Sequence, residues 1–278
     1  TSWDFGAGAD TFTNSGMLVV GEPTLAASTL TITNLEAWNN SGYILFGSSS
    51  TSTASMASDG QINDRIDMGS GTFTGSGNSR LFMDVNLGAT TQTSCGVLAA
   101  ADCFDLTGAS TAGSTTIRVN DTSGVAYGAF NPTGIVVVDV NGAGTTAASH
   151  FSLLSGQPLW RADLNSADGV LDKGLFFYDL TLNGSKQHVL VGLPDGEAFE
   201  FTTVGQAAQA AWYTTTGTWF DRQADLRDQL GESEAGAGIW MKITGGQAER
   251  DLINSYELFG VTYSFDTSYE QQTISLIG

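Results

Sequence analysis

The chain has 278 residues, with 10 Lys and Arg against 29 Asp and Glu and a formal net charge of −19. So acidic a surface repels nucleic-acid phosphates and anionic lipid, which excludes nucleic acid as a partner and argues against docking on anionic membranes. It leaves weak binding of divalent cations open. Apolar residues make up 41% and Gly contributes 35 residues. This composition favours a folded all-β chain with many turns over a disordered one.

An internal repeat occupies the N-terminal region. Residues 11–21 (TFTNSGMLVVG) align without gaps on residues 37–47 (AWNNSGYILFG), and residues 72–77 (TFTGSG) form a third, partial copy. Each copy has an apolar or aromatic residue, a small polar turn with Gly and a short β run. A unit of about two dozen residues cannot bury a core alone, so it must stack on its neighbours as one rung of a parallel β-coil. The alternative is a β-sandwich whose turns coincide.

The β pattern continues to about residue 182. Residues 115–119 alternate, and residues 134–140 (GIVVVDV) form an apolar run typical of a strand buried on both faces. Further β runs occur at 150–154 and 175–180. Turns rich in Gly and Asn separate these runs. The solenoid is therefore predicted to extend well beyond the recognisable repeats.

A helical pattern follows from Gly205. Residues 206–230 are rich in Ala and Gln, and Asp, Arg and Leu recur at helical spacing. Gly217 and the threonines at 214–216 weaken the middle and allow a bend or break there. The helix is long enough to cross a bilayer core, but its charged residues could not face lipid. It fits the aqueous lumen of a β-barrel, with an ordinary surface helix as the alternative.

The C-terminal segment alternates in the manner of outer-membrane barrel strands. The three alternating runs lie at 239–244, 261–266 and 273–276, with aromatic residues near strand ends. The segment has room for about two such strands, whereas a closed barrel needs at least about eight. No apolar run of about 18 residues occurs, so no transmembrane helix is predicted. The start at Thr1, without a signal segment, indicates a processing site or a fragment boundary.

The order of these parts resembles the C-terminal half of a bacterial autotransporter (type V secretion) protein. In that family a β-helical passenger ends in an autochaperone segment, and a helix then threads an outer-membrane barrel. Alphaproteobacterial members are the most similar. The lumen helix resembles residues 219–227, and the first barrel strand resembles residues 238–242. The segments that resemble the autochaperone are residues 104–108, 113–119, 134–140, 151–153 and 177–180.

This resemblance completes the prediction. The fold is all-β: a right-handed parallel β-helix (solenoid) with a C-terminal α-helix and a few antiparallel strands. The expected parts are solenoid rungs at 1–103, a C-terminal solenoid or autochaperone-like region at 104–200, a helical linker at 205–231 and an incomplete barrel start at 238–278.

The expected function is that of a cell-surface or secreted passenger stem with a structural or adhesive role and no catalysis in this chain. It would lie at the outer membrane, or outside the cell after cleavage. Its partners would be the outer membrane through the barrel, a host surface or other copies of itself. The alternatives are a self-assembling extracellular fibre subunit and a β-helical polysaccharide hydrolase or lyase.

Two segments resemble calcium-binding loops. Residues 6–12 (GAGADTF) match one unit of the nonapeptide pattern G-x-G-x-D-x-U, which binds calcium only through consecutive copies, and no second copy follows. Asp163, Asn165, Asp168 and Asp172 suggest an EF-hand loop, but Asp168 stands where that loop requires Gly. No metal site or cofactor is therefore predicted, and calcium remains a weak alternative.

Three acidic residues crowd one segment: Asp59, Asp64 and Asp67. Paired carboxylates on a β-helix can perform glycoside hydrolysis or lyase chemistry when they share a face of adjacent rungs and their pKa values are perturbed. Such sites usually recruit basic residues, which are scarce here. Turn and solvent-facing roles are favoured instead.

The two histidines, His150 and His188, lie in no recognisable nucleophile context. The G-x-S-x-G elbow is absent, and residues 108–112 (GASTA) are its nearest approach. A Ser/His/Asp triad could still form through long-range contacts, but nothing local indicates one. No catalytic residue is predicted.

Cys95 and Cys103 are predicted to form a disulfide. They lie eight positions apart, so the bridge closes a short loop worth roughly 2.5 kcal/mol in the chain-entropy model. A small bridged loop suits a chain that is exported through a narrow channel into an oxidising compartment. Two free buried thiols are the alternative.

Overall fold

A computed structural model of the chain describes residues 1–21, 28–47, 60–62, 64–88, 91–97, 99–231 and 241–277. The chain forms two compact units. The first comprises Thr1–Asp195 with Glu257–Tyr263, and the second comprises Gly196–Tyr256 with Ser264–Gly278.

The first unit is a parallel β-solenoid in which the chain makes about three turns from its first coil to its fourth. Each of these coils adds one strand to each of three sheets in the described part of the chain. The strands, in chain order, are β1 (Ser2–Asp4), β2 (Thr11–Asn14), β3 (Met17–Val20), β4 (Thr29–Thr33), β5 (Ala37–Asn40), β6 (Tyr43–Phe46), β7 (Arg65–Met68), β8 (Thr72–Gly75), β9 (Arg80–Val85), β10 (Cys103–Asp105), β11 (Ser110–Gly113) and β12 (Thr115–Asp121).

The register of the coils follows the sequence repeat. Parallel pairing sets Thr11 beside Ala37 and Ala37 beside Thr72, which is the alignment of the three copies. The prediction of stacked parallel rungs is therefore confirmed, and the β-sandwich alternative is wrong. The length of the repeat is not constant along the chain. The first two copies are 26 positions apart, from Thr11 to Ala37, whereas the next two are 35 apart, from Ala37 to Thr72. The repeat glycines have a steric role, since a side chain on Gly42 would clash with the backbone of Gly16.

An aromatic column fills the interior of the coils. Phe12, Trp38 and Phe73 occupy matching positions on β2, β5 and β8, with ring centroids 5.6 Å and 5.3 Å apart. Phe104 packs edge-on against Phe73 at 4.9 Å, and Phe151 stacks on it at 6.3 Å. Aromatic pairs in such geometries contribute about 0.5–1.5 kcal/mol beyond the burial of their area. The column thus ties successive coils together along the solenoid.

A polar ladder runs beside this column. The Asn14 amide donates to Asn40 Oδ1 at 2.7 Å, and the Asn40 amide donates to Ser79 Oγ at 2.7 Å. The hydroxyls of Ser79 and Thr115 lie 2.8 Å apart. Buried polar groups are costly unless they are hydrogen-bonded, so each coil supplies a partner for the next.

The fourth coil (β10–β12) is followed by a partial coil and then by an antiparallel meander. The partial coil consists of β13 (Asn131–Asp139), a 3-10 helix (Ala148–His150) and β14 (Phe151–Leu153), and its strands pair parallel with β10 and β12. The next strands are β15 (Trp160–Asp163), β16 (Ser166–Asp172), β17 (Phe176–Leu182) and β18 (Gln187–Pro194). β13 pairs parallel with β10 on one side and antiparallel with β18 on the other, and β17, β16 and β15 follow in order. Strands β15–β18 are called the C-terminal cap below.

The predicted β runs of this region are confirmed. Residues 115–119 lie in β12, and residues 175–180 lie largely in β17. Residues 134–140 fall mostly in β13, where consecutive valines 136–138 are buried as expected of a strand covered on both faces.

The second unit begins with α1 (Gly196–Gly231) and contains β19 (Lys242–Arg250) and β22 (Tyr269–Ile277), which pair antiparallel. In chain order, β20 (Ile253–Leu258) and β21 (Val261–Asp266) lie between these two strands and form a two-stranded sheet, of which residues 257–263 belong to the first unit. The predicted strand at 261–266 coincides with β21, and the run at 273–276 lies within β22. Of the predicted strand at 239–244, residues 239 and 240 lie outside the described residues.

The helix starts earlier than its sequence pattern indicates, at Gly196 rather than near Gly205, and it continues through Gly217. Thr214, Thr215 and Thr216 accommodate to it by donating their hydroxyls to the carbonyls four residues earlier, at 2.8–3.0 Å. No helix within the described residues has both the length and the apolar character that a bilayer crossing demands.

Candidate functional site

The first coil is open on its outer side. Strands β1, β2 and β3 each lie at the end of their sheet, so in the described part of the chain no strand covers their outer edges. Most apolar residues there are only partly buried, namely Trp3, Phe5, Phe12 and Leu18, and Val19 is 37% exposed. Unpaired backbone groups beside apolar side chains form a template for adding another parallel coil. Strands β1–β3 are called the open end below.

The last coil is covered where the first is open. Its β11 edge bonds to a returning segment, with Thr111 N–H donating to the Thr145 carbonyl at 2.8 Å. Nearby, Gly108 N–H donates to the Asn141 carbonyl at 3.0 Å. The neighbouring sheet continues from β13 into the cap. Antiparallel pairing ends the parallel stack in this sheet, because a further coil would need the edge of β13 that β18 already occupies, whereas β14 lies at the end of its own sheet.

A buried lysine links the cap to the end of β12. The Lys173 side chain is only 6% exposed, and its ammonium donates to Asp121 Oδ2 at 2.5 Å and to the Val125 carbonyl. Burial raises the pKa of Asp121, but hydrogen bonds from Lys173 and Ser123 outweigh it and leave that pKa below its usual range. Removing either member of such a buried ion pair leaves an uncompensated charge and strongly destabilises the fold.

A buried tyrosine makes a second such link. The Tyr178 hydroxyl donates to the Leu87 carbonyl and accepts the Ala129 N–H at 2.8 Å. Gly128 and Gly192 leave room for its ring, since a side chain at either position would clash with it. In the same unit the hydroxyl of Tyr263 donates to Asp179 Oδ2 at 2.6 Å.

Both histidines belong to one hydrogen-bonded chain at the last coil. Thr111 Oγ1 lies 2.7 Å from His150 Nδ1 and donates to Thr146 Oγ1 at 2.7 Å, and Thr146 Oγ1 lies 3.1 Å from His188 Nε2. Burial, with the neighbouring His150, lowers the pKa of His188 to about 3. Burial also lowers the pKa of His150. His188 is therefore neutral at any physiological pH.

Sequence reasoning missed this chain because its members lie 35 to 42 positions apart. It singled out residues 108–112, and the residue that meets the histidines is Thr111 rather than Ser110. A hydroxyl hydrogen-bonded to imidazole is the geometry of an activated nucleophile. Thr111 is only 5% exposed, however, and a substrate carbonyl could not approach its hydroxyl. We assign these groups to closure of the last coil.

The two calcium-like segments serve as turns. Gly6 lies in the connection between β1 and β2, where its N–H donates to Asp4 Oδ1 at 3.0 Å, while Asp10 N–H donates to Glu36 Oε2 at 2.7 Å. No group of three or more His, Cys, Asp or Glu in the described ranges is arranged to hold a metal ion.

The EF-hand-like residues form the β15–β16 hairpin around Arg161. Its guanidinium lies 3.4 Å from both Asp163 and Asp172 and 2.6 Å from Asp195. Asn165 N–H donates to Asp163 Oδ1 at 2.8 Å, as in an Asx turn. Asp168 accepts the Trp160 indole N–H through its backbone carbonyl at 2.9 Å.

The acidic residues near β7 do not share a face. Asp59 lies outside the described residues. Asp64 is 2% exposed, and its N–H donates to Asp102 Oδ1 at 2.9 Å. Asp67 faces outward on β7, in register with Asp105 on β10, and Arg65 bridges the two at 3.1 Å and 2.5 Å. Burial raises the pKa of Asp67 against the opposing effect of Arg65. The strand alternation thus separates Asp64 from Asp67.

Burial also affects the carboxyl group of Asp102, which lies beside Asp64. Burial raises its pKa well above the usual range, although it accepts backbone hydrogen bonds from Asp84 and Asp64. The side chains of Asp64, Asp84 and Asp102 are all buried, and charge repulsion among them acts in the same direction. The Asp102 carboxylate thereby links the backbone before β7 to the backbone of β9.

Cys95 and Cys103 form a disulfide, with Cα atoms 5.4 Å apart. The loop that the bridge closes is organised by Gln92, which sequence reasoning missed. Gln92 Oε1 accepts the N–H groups of residues 99, 100 and 101 at 2.9–3.1 Å, and its Nε2 donates to the Val136 carbonyl at 2.8 Å. One side chain that is 1% exposed thereby satisfies four backbone groups, three of them buried.

Comparison with known protein families and curated proteins found no match. No profile of a known protein family matches the sequence, and no curated protein matches it. The contrast between the open end and the covered last coil, with the links that hold the cap, is the feature from which a function is inferred.

Proposed function

We propose that this chain is the C-terminal stem of a β-solenoid passenger that a type V pathway displays on, or releases from, a bacterial surface. Its role is structural or adhesive, and it performs no catalysis. The observation that carries the proposal is the way the parallel stack ends: four parallel coils are followed by the antiparallel cap, which pairs with β13. The order of parts adds support, because a solenoid precedes a long helix and antiparallel strands.

The cap and the first coil would have different roles in folding. A coil that adds to a pre-formed edge avoids the cost of starting a new sheet, so a solenoid grows from whichever part is already folded. The cap has buried links of its own in Lys173 and Tyr178. It is therefore the part suited to fold first, and the earlier coils would stack on it in turn.

A pair of deletions tests the template role. Removing residues 104–182 takes away the last coils and most of the cap, and we expect the rest of the first unit to become sensitive to protease. Removing residues 1–28 takes away only the first coil and is the matched control, which should stay resistant. Unchanged resistance after the first deletion would refute the template role.

Display is tested on the native protein. Peptide mapping by mass spectrometry of outer-membrane and culture-medium fractions, with both termini identified, should find the chain outside the cytoplasm. Recovery only from the cytoplasm would contradict the proposal.

The open end also favours a second candidate, a self-assembling fibre subunit, since unpaired strand edges promote end-to-end contact. Growth in one direction needs a matching edge at the far end, and the cap covers one sheet edge there. Concentration-dependent filaments of the purified chain, seen by electron microscopy, would establish this candidate, whereas a monomer at all concentrations would exclude it.

A further inference from the structure

The outer face of the sheet that contains β6, β9 and β12 carries two arginines stacked on aromatic rings. Arg80 Cζ lies 5.7 Å from the centre of the Tyr43 ring, and Arg118 Cζ lies 5.5 Å from that of Phe82. The two rings meet edge to face at 5.8 Å. Strand register places Tyr43 beside Arg80 and Phe82 beside Arg118. We call these four residues the basic–aromatic patch.

The two guanidinium groups lack the acidic partners that three other cations of this unit have. Arg65, Arg161 and Lys173 each form an ion pair with at least one Asp. Arg80 and Arg118 form none within the ranges that the structure describes. A guanidinium that stacks on a ring keeps its N–H edge available and held in a fixed plane, and that fork matches a carboxylate. The patch therefore presents donors without an internal acceptor.

A groove of about 290 Å³ opens between these arginines and the turn that follows β14. The turn contributes apolar surface through Leu154 and Pro158, and Phe82 adds more from the sheet. Gln157 anchors the turn, because its Oε1 accepts the Val119 N–H at 2.7 Å and its Nε2 donates to the Ile117 carbonyl at 3.2 Å. The walls are thus held in place, and the space fits one sugar ring at the small end of ligand pockets.

We propose that this groove binds an acidic sugar residue of a glycan. Its carboxylate would lie against the guanidinium groups of Arg80 and Arg118, and its C–H face would lie on the apolar surface of Phe82, Leu154 and Pro158. The net charge of −19 repels densely charged polymers, which favours a glycan with isolated carboxylates. Binding is a property of the solenoid itself and does not depend on surface display or on the order of folding.

The test is calorimetric titration of the full chain with a disaccharide that contains one uronic acid. A neutral disaccharide of the same size and inorganic sulfate are the comparison probes. We expect binding of the acidic disaccharide only, with the dissociation constant raised at least about tenfold by Arg80→Gln and by Arg118→Gln. Arg250→Gln is the matched control, since it changes the net charge equally at an exposed position in the second unit.

Circular dichroism checks that each variant is folded. In the unsubstituted protein, nitrogen NMR of the arginine side chains should show shifts at Arg80 and Arg118 on titration, which needs no variant. Three results would overturn the proposal: no binding of the acidic disaccharide, equal binding of the neutral one, or unchanged affinity in both arginine variants. Equal affinity for sulfate would overturn the assignment to a sugar. None of these results bears on protease resistance or localisation, so failure here is distinct from failure of the proposed stem function.

Discussion

The two ends of the solenoid are built from the same kind of coil and differ in what covers them. The open end has bare strand edges and a partly buried Phe12, whereas the equivalent ring two coils later, Phe73, is 1% exposed. The cap adds links that cross long stretches of chain, from Lys173 to Asp121 and from Tyr178 to Leu87. Local stability therefore increases from the first coil toward the cap. In a stacked fold this gradient sets the order in which the coils fold and open.

The largest expected loss of stability comes from truncating a buried ring of the aromatic column, compared with the equivalent ring of the first coil. Phe73→Ala should lower the free energy of unfolding by about 3–5 kcal/mol, because it leaves a cavity among Trp38, Phe104 and Phe151. Phe12→Ala, at the same position of the first coil, should cost only about 1–2 kcal/mol. Urea denaturation measures both, and equal losses would contradict the gradient.

The next effect concerns the buried ion pair. Lys173→Met should cost about 3–4 kcal/mol, since it leaves Asp121 desolvated without its partner. Arg250→Met removes one positive charge from an exposed position in the second unit and should stay within about 1 kcal/mol. Chemical denaturation of the two variants compares them directly. A loss no greater than that of the control would show that Lys173 does not hold the cap.

Gln92→Ala should cost about 2–3 kcal/mol, because three backbone donors, two of them buried, lose their common acceptor. Gln247→Ala, on an exposed strand of the second unit, should change stability by less than about 0.5 kcal/mol. Thermal unfolding of oxidised protein distinguishes the two, with the disulfide kept intact in both. If Gln92→Ala unfolds at the same temperature as the parent chain, the loop does not depend on that side chain.

The smallest effect is a dependence on pH. The pKa of His188 falls to about 3 in the folded state, so below about pH 6.5 only the unfolded chain takes up this proton and stability is lost as the pH falls toward 3. The loss should reach about 2 kcal/mol at pH 5. Asp102 and Asp179, whose pKa values burial raises, act in the opposite sense as they take up protons.

The comparison of the parent chain with His188→Gln isolates this contribution, because the carboxyl groups are common to both. Unfolding free energies measured from pH 7 to pH 4 should converge as the pH falls. A constant difference between the two curves would mean that His188 takes up its proton as readily in the folded state.

The stacking of coils could be predicted because the first two copies have equal length. Asn14 aligned with Asn40 in the sequence, and these two amides are hydrogen-bonded in the structure. The longer connections after residue 47 hide the later copies, so only the fragment at 72–77 remained recognisable. Local patterns thus identified the rungs wherever the turns between them are short.

The cap could not be predicted in the same way. The run at 134–140 reads equally well as a strand with parallel or antiparallel neighbours, and β13 has one of each. The Lys173–Asp121 pair spans 52 positions and the Tyr178–Leu87 bond spans 91, and no local pattern marks such contacts. The outward position of Asp67 next to the buried Ile66, by contrast, follows from the strict alternation of a strand.

Native-state hydrogen exchange tests the gradient most directly. Amides of β1–β6 should exchange through partial openings of low free energy, whereas those of β10, β13, β17 and β18 should exchange only with global unfolding. Increasing the denaturant would then merge the two groups, with the N-terminal coils opening first. Equal protection along the whole solenoid, or slower exchange at the open end than in the cap, would contradict the account.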